Sequence, residues 1–253
     1  MSCFQIVFSP TGGTQKAADM LTEKLCESFE TIDILDKSED YSNYSFSAED
    51  VCVIAVPSFG GRAAAPAVER IAAMKGNGAK AVLLVSFGAR DYEDTLLELY
   101  DTAVSAEFVP IAAVAAETEH SVMRNFAKGR PDADDKTELF EFGEKIAAKI
   151  KSGDIGELKI KGNRPYKKYD GIPIKPKADL SCIACGICVA RCPVGAIPAI
   201  SPEKTDKKKC ISCMRCIKVC PKSARSLNKL MVNAAALSMK GQFDNNRPNE
   251  LII

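Results

Sequence analysis

No stretch of 18 apolar residues occurs anywhere in the 253-residue chain, so no membrane-spanning helix is expected. No basic-then-apolar segment opens it, so export is not expected either. The chain lacks G-x-x-x-x-G-K-[ST], which argues against a triphosphate held with magnesium. It also lacks G-x-G-x-x-G, which argues against a dinucleotide. There is no tryptophan and only one histidine, His120. What the chain does have is a 46% apolar composition, enough to build the cores of two domains, and eleven cysteines.

Eight of those cysteines fall in two runs of the same spacing. Cys182, Cys185, Cys188 and Cys192 read C-x2-C-x2-C-x3-C and are followed by Pro193. Cys210, Cys213, Cys216 and Cys220 repeat the pattern 28 residues later and are followed by Pro221. Zinc sites pair two knuckles across a longer gap and use four ligands, not two runs of four. Disulfide frameworks belong to small secreted domains. The doubled run is instead the spacing of bacterial proteins that carry two [4Fe-4S] clusters. Three close cysteines wrap three irons of a cubane, and the fourth thiolate comes from the other run, because the loop cannot turn back far enough. The expected ligand sets are Cys182, Cys185, Cys188 and Cys220 for cluster I, and Cys210, Cys213, Cys216 and Cys192 for cluster II.

The net charge of +1 hides an asymmetry. Residues 1–157 carry 15 basic and 27 acidic side chains, and residues 158–253 carry 19 and 6. The split marks a boundary near residue 157. A basic half raises the question of nucleic acid, yet no stacking motif or recognition module accompanies Lys207–Lys209, and no nucleic-acid partner is expected. Cations beside thiolate-ligated clusters offset their negative charge and favour the extra electron. Opposite net charges also predict that the acidic and basic halves dock on each other, within one chain or between two.

The first half alternates strand and helix patterns five times, the signature of a doubly wound parallel sheet. Strands are expected at Cys3–Phe8, Thr31–Leu35, Val51–Val56, Ala79–Val85 and Phe108–Ala115. Helical faces follow at Ala17, Ala18, Leu21, Leu25 and Phe29, then at Val68, Ile71 and Ala72. Two more lie at Leu96, Leu97, Tyr100 and Val104, and at Leu139, Phe142, Ile146 and Ile150. In such sheets a ligand sits beyond the carboxyl ends of the strands. The loops after strands one, three and four are therefore the candidates. Ser9, Thr11, Gly12, Gly13 and Thr14 form a hydroxyl-rich turn at a helix N-terminus, where free N–H groups and the dipole favour a phosphate. Neutral donors around one phosphate point to FMN.

With these residues in hand, the chain resembles the flavodoxin–ferredoxin fusion family, over nearly its whole length. Ser9-Pro10-Thr11-Gly12-Gly13-Thr14 is similar to the flavodoxin phosphate loop Ser/Thr-x-Thr-Gly-x-Thr, with Gly13 where many relatives have Asn. The resemblance implies a flavodoxin-like five-stranded parallel sheet of order 2-1-3-4-5 with a small α+β two-cluster ferredoxin domain. It implies that Pro57, Ser58, Phe59, Gly60, Gly61 and Arg62, with Ser86, Phe87, Gly88, Ala89, Arg90, Asp91 and Tyr92, flank the flavin ring. Flavodoxins often hold that ring between Trp and Tyr. Without tryptophan, Phe59, Phe87 and Tyr92 are the aromatic candidates.

The expected organisation is a flavodoxin-like domain over 1–157, a Lys/Pro/Gly-rich linker over 158–178, the cluster domain over 179–228, and a C-terminal helix and tail over 229–253. The tail ends in Leu251-Ile252-Ile253, which packs either on the first half or at a homodimer interface. His120 lies in the loop after the fifth strand, at the ligand end of the sheet, as a candidate donor or proton relay. Arg62, Arg90 and Arg130 are candidates to meet the flavin or a partner. Cys3, Cys26 and Cys52 read as buried, inert thiols. The function expected is electron transfer between FMN, two [4Fe-4S] clusters and an external redox protein in the cytoplasm of an anaerobic or microaerobic microbe. An FMN-dependent reductase of a small substrate, fed by the clusters, is the alternative.

Overall fold

The computed structural model describes residues 2–153, 156–244 and 247–253. The first half runs β1 (Cys3–Val7), α1 (Gly13–Leu25), β2 (Glu30–Asp33), β3 (Val51–Phe59), β4 (Arg62–Ala63), α2 (Ala65–Ala72), β5 (Lys80–Phe87), α3 (Thr95–Ser105), β6 (Val109–Glu117) and α4 (Ala133–Ser152). The second half adds β7 (Lys177–Ala178), α5 (Ile187–Ala190), α6 (Arg215–Lys218), β8 (Arg225–Ser226), α7 (Lys229–Met239) and β9 (Glu250–Ile252).

The central strands are apolar on both faces because helices cover both. Alternate residues of one strand feed separate cores. Cys52, Ile54 and Val56 of β3 face one core with Ala67 and Ile71 of α2 and Leu96 and Leu99 of α3. Val51, Val53 and Ala55 face the other, with Ala18, Leu21 and Leu25 of α1 and Leu139, Phe142 and Ile146 of α4. Each buried Val, Leu, Ile or Phe among these contributes about 1.5–3 kcal/mol relative to exposure. Helices α1 and α4 meet closely at Gly143, where an added Cβ would lie 2.6 Å from the Leu21 carbonyl oxygen.

The sheet order is β2-β1-β3-β5-β6-β9. The first five strands are parallel and reproduce the flavodoxin-like 2-1-3-4-5 arrangement. Two additions were not foreseen. β4 folds back antiparallel on the end of β3, and the C-terminal β9 pairs antiparallel with β6. The apolar tail thus packs on the first half and covers the sheet edge that β6 would leave open.

Other expectations need correction. Phe29 lies beyond the end of α1, and Val104 is 47% exposed at the end of α3. The five strands begin or end one or more residues away from their expected bounds. Cys3 and Cys26 are not inert thiols; they form a disulfide that ties the start of β1 to the end of α1. Cys52 is a buried free thiol, and burial pushes its pKa far up.

In the cysteine-rich part, β7 and β8 pair antiparallel, and α5 and α6 are single turns. Its backbone repeats with the same 28-residue offset as its cysteines. Ala184, Gly186 and Gly195 have positive φ, and so do Ser212, Met214 and Ser223. Non-glycine residues seldom take this conformation, so its recurrence marks a demand of the loop and not of the residue. The connector before it lies along α3. Asp94 accepts from the backbone N–H groups of Asn163 and Lys167, and Arg164 pairs with Asp101. Lys167 pairs with Glu93. The ion pairs that join the two halves lie in this connector and, in the tail, at Arg247–Asp91. Among the described residues no ion pair joins 179–228 to 1–157. There the contacts are cations donating to carbonyl oxygens: Arg70 to Pro193, Lys37 to Ala190, and Arg215 to Pro10.

Candidate functional site

An open cleft lies beyond the carboxyl ends of β1, β3, β5 and β6. Thr11, Gly13 and Thr14 line one side, Pro57, Ser58, Phe59, Gly60 and Gly61 another, and Ser86, Phe87, Gly88, Arg90 and Asp91 a third. The three expected loops therefore converge on one space. The Thr14 and Ser86 hydroxyls bond each other at 2.7 Å, which locks the first loop to the third. Ser9 does not line the cleft; its hydroxyl accepts the Gln15 N–H at 2.9 Å and caps α1. Gly12 is likewise absent from the lining and supplies the left-handed turn, φ 100°, that starts the helix.

Tyr92 and Ala89 also depart from expectation. Tyr92 is 1% exposed, packs against Phe87, and donates its phenol to Glu250 at 2.6 Å, so it is a core aromatic behind the wall. Burial pushes its pKa up, with the Glu250 hydrogen bond adding to the effect. Ala89 is fully buried, and its carbonyl accepts from Asp244. Phe59 and Phe87 are the aromatics on the cleft. Arg62 faces away, held by Glu98 and stacked on Tyr166. Arg130 is committed to Asp135 and Glu117. Arg90 stays at the cleft, paired with Glu93.

His120 lines the cleft with Thr118, Glu119 and Ser121. Its Nδ1 accepts from the N–H groups of Val122 and Met123, both at 3.1 Å, so the ring proton sits on Nε2. Burial pulls its pKa down to about 4, and the Arg90 charge acts in the same direction. The ring is thus neutral near pH 7, with one nitrogen occupied. It can donate a hydrogen bond, but it is poorly placed to relay protons. The loop wall is tight: a Cβ on Gly88 would lie 2.7 Å from the His120 Cα.

The structure groups the eight cysteines of the two runs around two voids. Cys182, Cys185, Cys188 and Cys220 line one. Cys192, Cys210, Cys213 and Cys216 line the other. Among the described residues no three His, Cys, Asp or Glu side chains converge on one point as a single bound ion requires. Thiols spread around a void suit a multi-iron cluster. N–H groups also reach the sulfurs, from Ala196 to Cys192 at 3.2 Å and from Ser212 to Cys210 at 3.4 Å. Such bonds stabilise thiolates bound to metal.

Burial pushes the Cys213 thiol up to about 12 and the Cys216 thiol up to about 11, with neighbouring cysteines adding to both. Iron binding at these sulfurs must therefore displace protons. Cys220 moves the other way. Its slight burial raises the pKa, but backbone N–H groups of Arg225, Lys222 and Ala224 outweigh that and lower it.

Cys213 lines the cleft as well as its own void, so one residue is common to both. Neither its place on the cleft nor that of Thr118 and Ser121 could be read from spacing, because tertiary packing brings them there. Tyr169, from the connector, packs so closely on the cleft loop that a Cβ on Gly60 would meet its ring at 2.2 Å. The only cue for it was an aromatic in an otherwise Lys/Pro/Gly-rich linker.

Residues 181–225 match the family model of the 4Fe-4S dicluster domain. No curated protein matches the chain. Among solved structures, the flavodoxin of Streptococcus pneumoniae TIGR4 is 20% identical, with a TM-score of 0.42 over 58% of this chain and 99% of that one. Oxidised flavodoxin 1 of Bacillus cereus is 16% identical, with a TM-score of 0.43 over 58% and 98%. The flavodiiron core Flv1 of Synechocystis sp. PCC6803 is 17% identical, with a TM-score of 0.44 over 61% of this chain and 37% of that one. No described helix is long and apolar enough to cross a membrane. Strand order and cysteine pattern together make this chain a flavodoxin-like α/β domain followed by a 4Fe-4S ferredoxin-type domain.

Proposed function

We propose that the chain is an electron carrier that binds FMN in the cleft and one [4Fe-4S] cluster in each cysteine-lined void, and that exchanges electrons with an external redox protein. The observation that carries this reading is Cys213, which lines the cleft and one void at once. When bound, FMN supplies one- and two-electron chemistry and each cluster one-electron chemistry, so one chain can divide an electron pair.

The residues present fit these groups. Thr11, Gly13 and Thr14 at the start of α1 offer neutral donors to a phosphate. Phe59 and Phe87 offer apolar surface to a ring, and the neutral His120 offers an Nε2–H donor. Cys182, Cys185, Cys188 and Cys220 would hold cluster I, and Cys192, Cys210, Cys213 and Cys216 cluster II. A substrate reductase needs a proton donor at the cleft. With its pKa held near 4, His120 is deprotonated at neutral pH, which favours the carrier reading over that alternative.

The test is anaerobic purification with flavin, iron and sulfide quantitation and a redox titration. About one FMN, eight irons and eight sulfides per chain are expected, with exchange against a ferredoxin and no turnover of small acceptors. A preparation that takes up neither flavin nor iron on reconstitution overturns the reading.

A further inference from the structure

The two halves of the cysteine module contain parallel stretches, Cys192-Pro193-Val194-Gly195-Ala196-Ile197 and Cys220-Pro221-Lys222-Ser223-Ala224-Arg225. Their backbones match, with positive φ at Gly195 and at Ser223. Both sixth residues are buried, Ile197 at 3% exposure and Arg225 at 2%. A position that packs an isoleucine in one half therefore holds a guanidinium in the other.

Arginine cannot shed its proton inside a protein, so Arg225 is a permanent buried cation. Its acceptors are neutral: the carbonyls of Pro202, Lys204 and Pro176 and the hydroxyl of Thr205. Its Nε has no partner. Among the described residues no carboxylate pairs with it. A buried charge without a counter-charge is costly, and such a residue is retained where an anion compensates it.

What it faces is cysteine sulfur, which is negative as a thiolate ligand of iron. A guanidinium N–H lies 3.8 Å from the Cys188 sulfur, on one void. Arg225 itself lines that void, and two of its acceptors, Pro176 and Thr205, line the other, so it sits between the two. Its own backbone N–H reaches Cys220.

We infer that Arg225 is a counter-cation shared by the two cluster sites, a tuning residue that holds both clusters at higher potential than their eight thiolates alone would set. The inference rests on reading the two voids as [4Fe-4S] sites. A fixed positive charge next to a cluster favours the added electron, and a buried one is little screened by salt. One side chain thus touches a ligand at the first site and the wall of the second, so removing its charge must move both potentials together.

The experiment is an anaerobic redox titration of the full-length protein, wild type against Arg225→Gln and Arg225→Lys, each with iron and sulfide quantitation. R225Q keeps hydrogen-bonding capacity but loses the charge. It is expected to shift both clusters about tenfold toward the oxidised form, about 59 mV for a one-electron couple. R225K keeps the charge and is expected to stay within about threefold of wild type. Unmoved potentials in fully loaded R225Q overturn the inference. So does a shift confined to one cluster, or an R225K shift as large as that of R225Q, which marks a structural role. Should R225Q not fold, Arg225→Met, closer to the apolar Ile197 of the other half, carries the same expectation. Loss of iron from both neutral variants but not from R225K supports the charge, and loss from all three counts against it. A wild type that holds no iron or sulfide overturns the cluster reading itself.

Discussion

Phe243 stacks on Phe126 with ring centroids 4.0 Å apart and planes 11° from parallel. The same ring meets His120 edge-on at 5.6 Å. A residue of the C-terminal tail thus holds the loop that carries His120 onto the cleft. The tail is pinned again beyond this point. The Asp244 N–H donates to Ala89, and the Asn249 amide bonds Asp135 and Glu138 while its oxygen accepts from Glu117.

Phe243→Ala is therefore expected to loosen the cleft more than the fold. Losing one half-buried aromatic stack costs about 1–2 kcal/mol of stability. Flavin affinity should fall about tenfold, because His120 and its loop lose their support. Urea unfolding and a flavin fluorescence titration measure the two effects. Unchanged affinity in a folded variant would show that the tail does not position the cleft.

His120 should make stability depend on pH. Its folded pKa, about 4, lies below the ordinary 6.5, so between these values the unfolded chain binds the proton that the native state refuses. The contribution is fully present above pH 6.5 and is lost as pH falls through 4. From pH 7.5 to pH 5 the wild type should lose about 2 kcal/mol relative to His120→Gln. Denaturant midpoints of both proteins across that range check it. A parallel pH dependence in the two would contradict the burial of the ring.

Much of this was legible because burial on both faces writes itself as unbroken apolar runs. Val51–Val56 announced the central strand, and the three loops at its end of the sheet do line one cleft. The paired cysteine runs announced the iron–sulfur module. What failed depended on distant partners. Tyr92 looked like a ligand aromatic until Glu250, 158 residues away, took its hydroxyl. The Cys3–Cys26 bond joins residues 23 apart, and no spacing distinguished it from two core thiols. Arg225 gave no cue until its matching position, Ile197, was seen to be buried.

The Thr14–Ser86 hydroxyl pair predicts a separable effect at the first loop. Both groups are buried, so Thr14→Val leaves Ser86 without its partner and costs about 1–3 kcal/mol. The same change removes a donor from the phosphate end of the cleft. Flavin affinity should drop while iron and sulfide stay at wild-type levels. Coincident loss of iron would place this loop's role in the whole fold instead.

The arrangement of the eight thiols makes the sharpest prediction, because it crosses the sequence order. Cys220 belongs to the second run but lines the void of the first, and Cys192 does the reverse. Cys220→Ser should therefore damage the same cluster as Cys185→Ser, leaving about half the iron and sulfide. The double variant C185S/C220S should look no worse than either single change. Pairing C185S with Cys192→Ser should strip both sites. If run order governed instead, the outcomes would exchange: C185S/C192S would spare one cluster and C185S/C220S would spare none. Cys213→Ser should fall in the group of C192S, and it alone should also perturb the flavin spectrum, since Cys213 is the one cysteine of the two runs that lines the cleft.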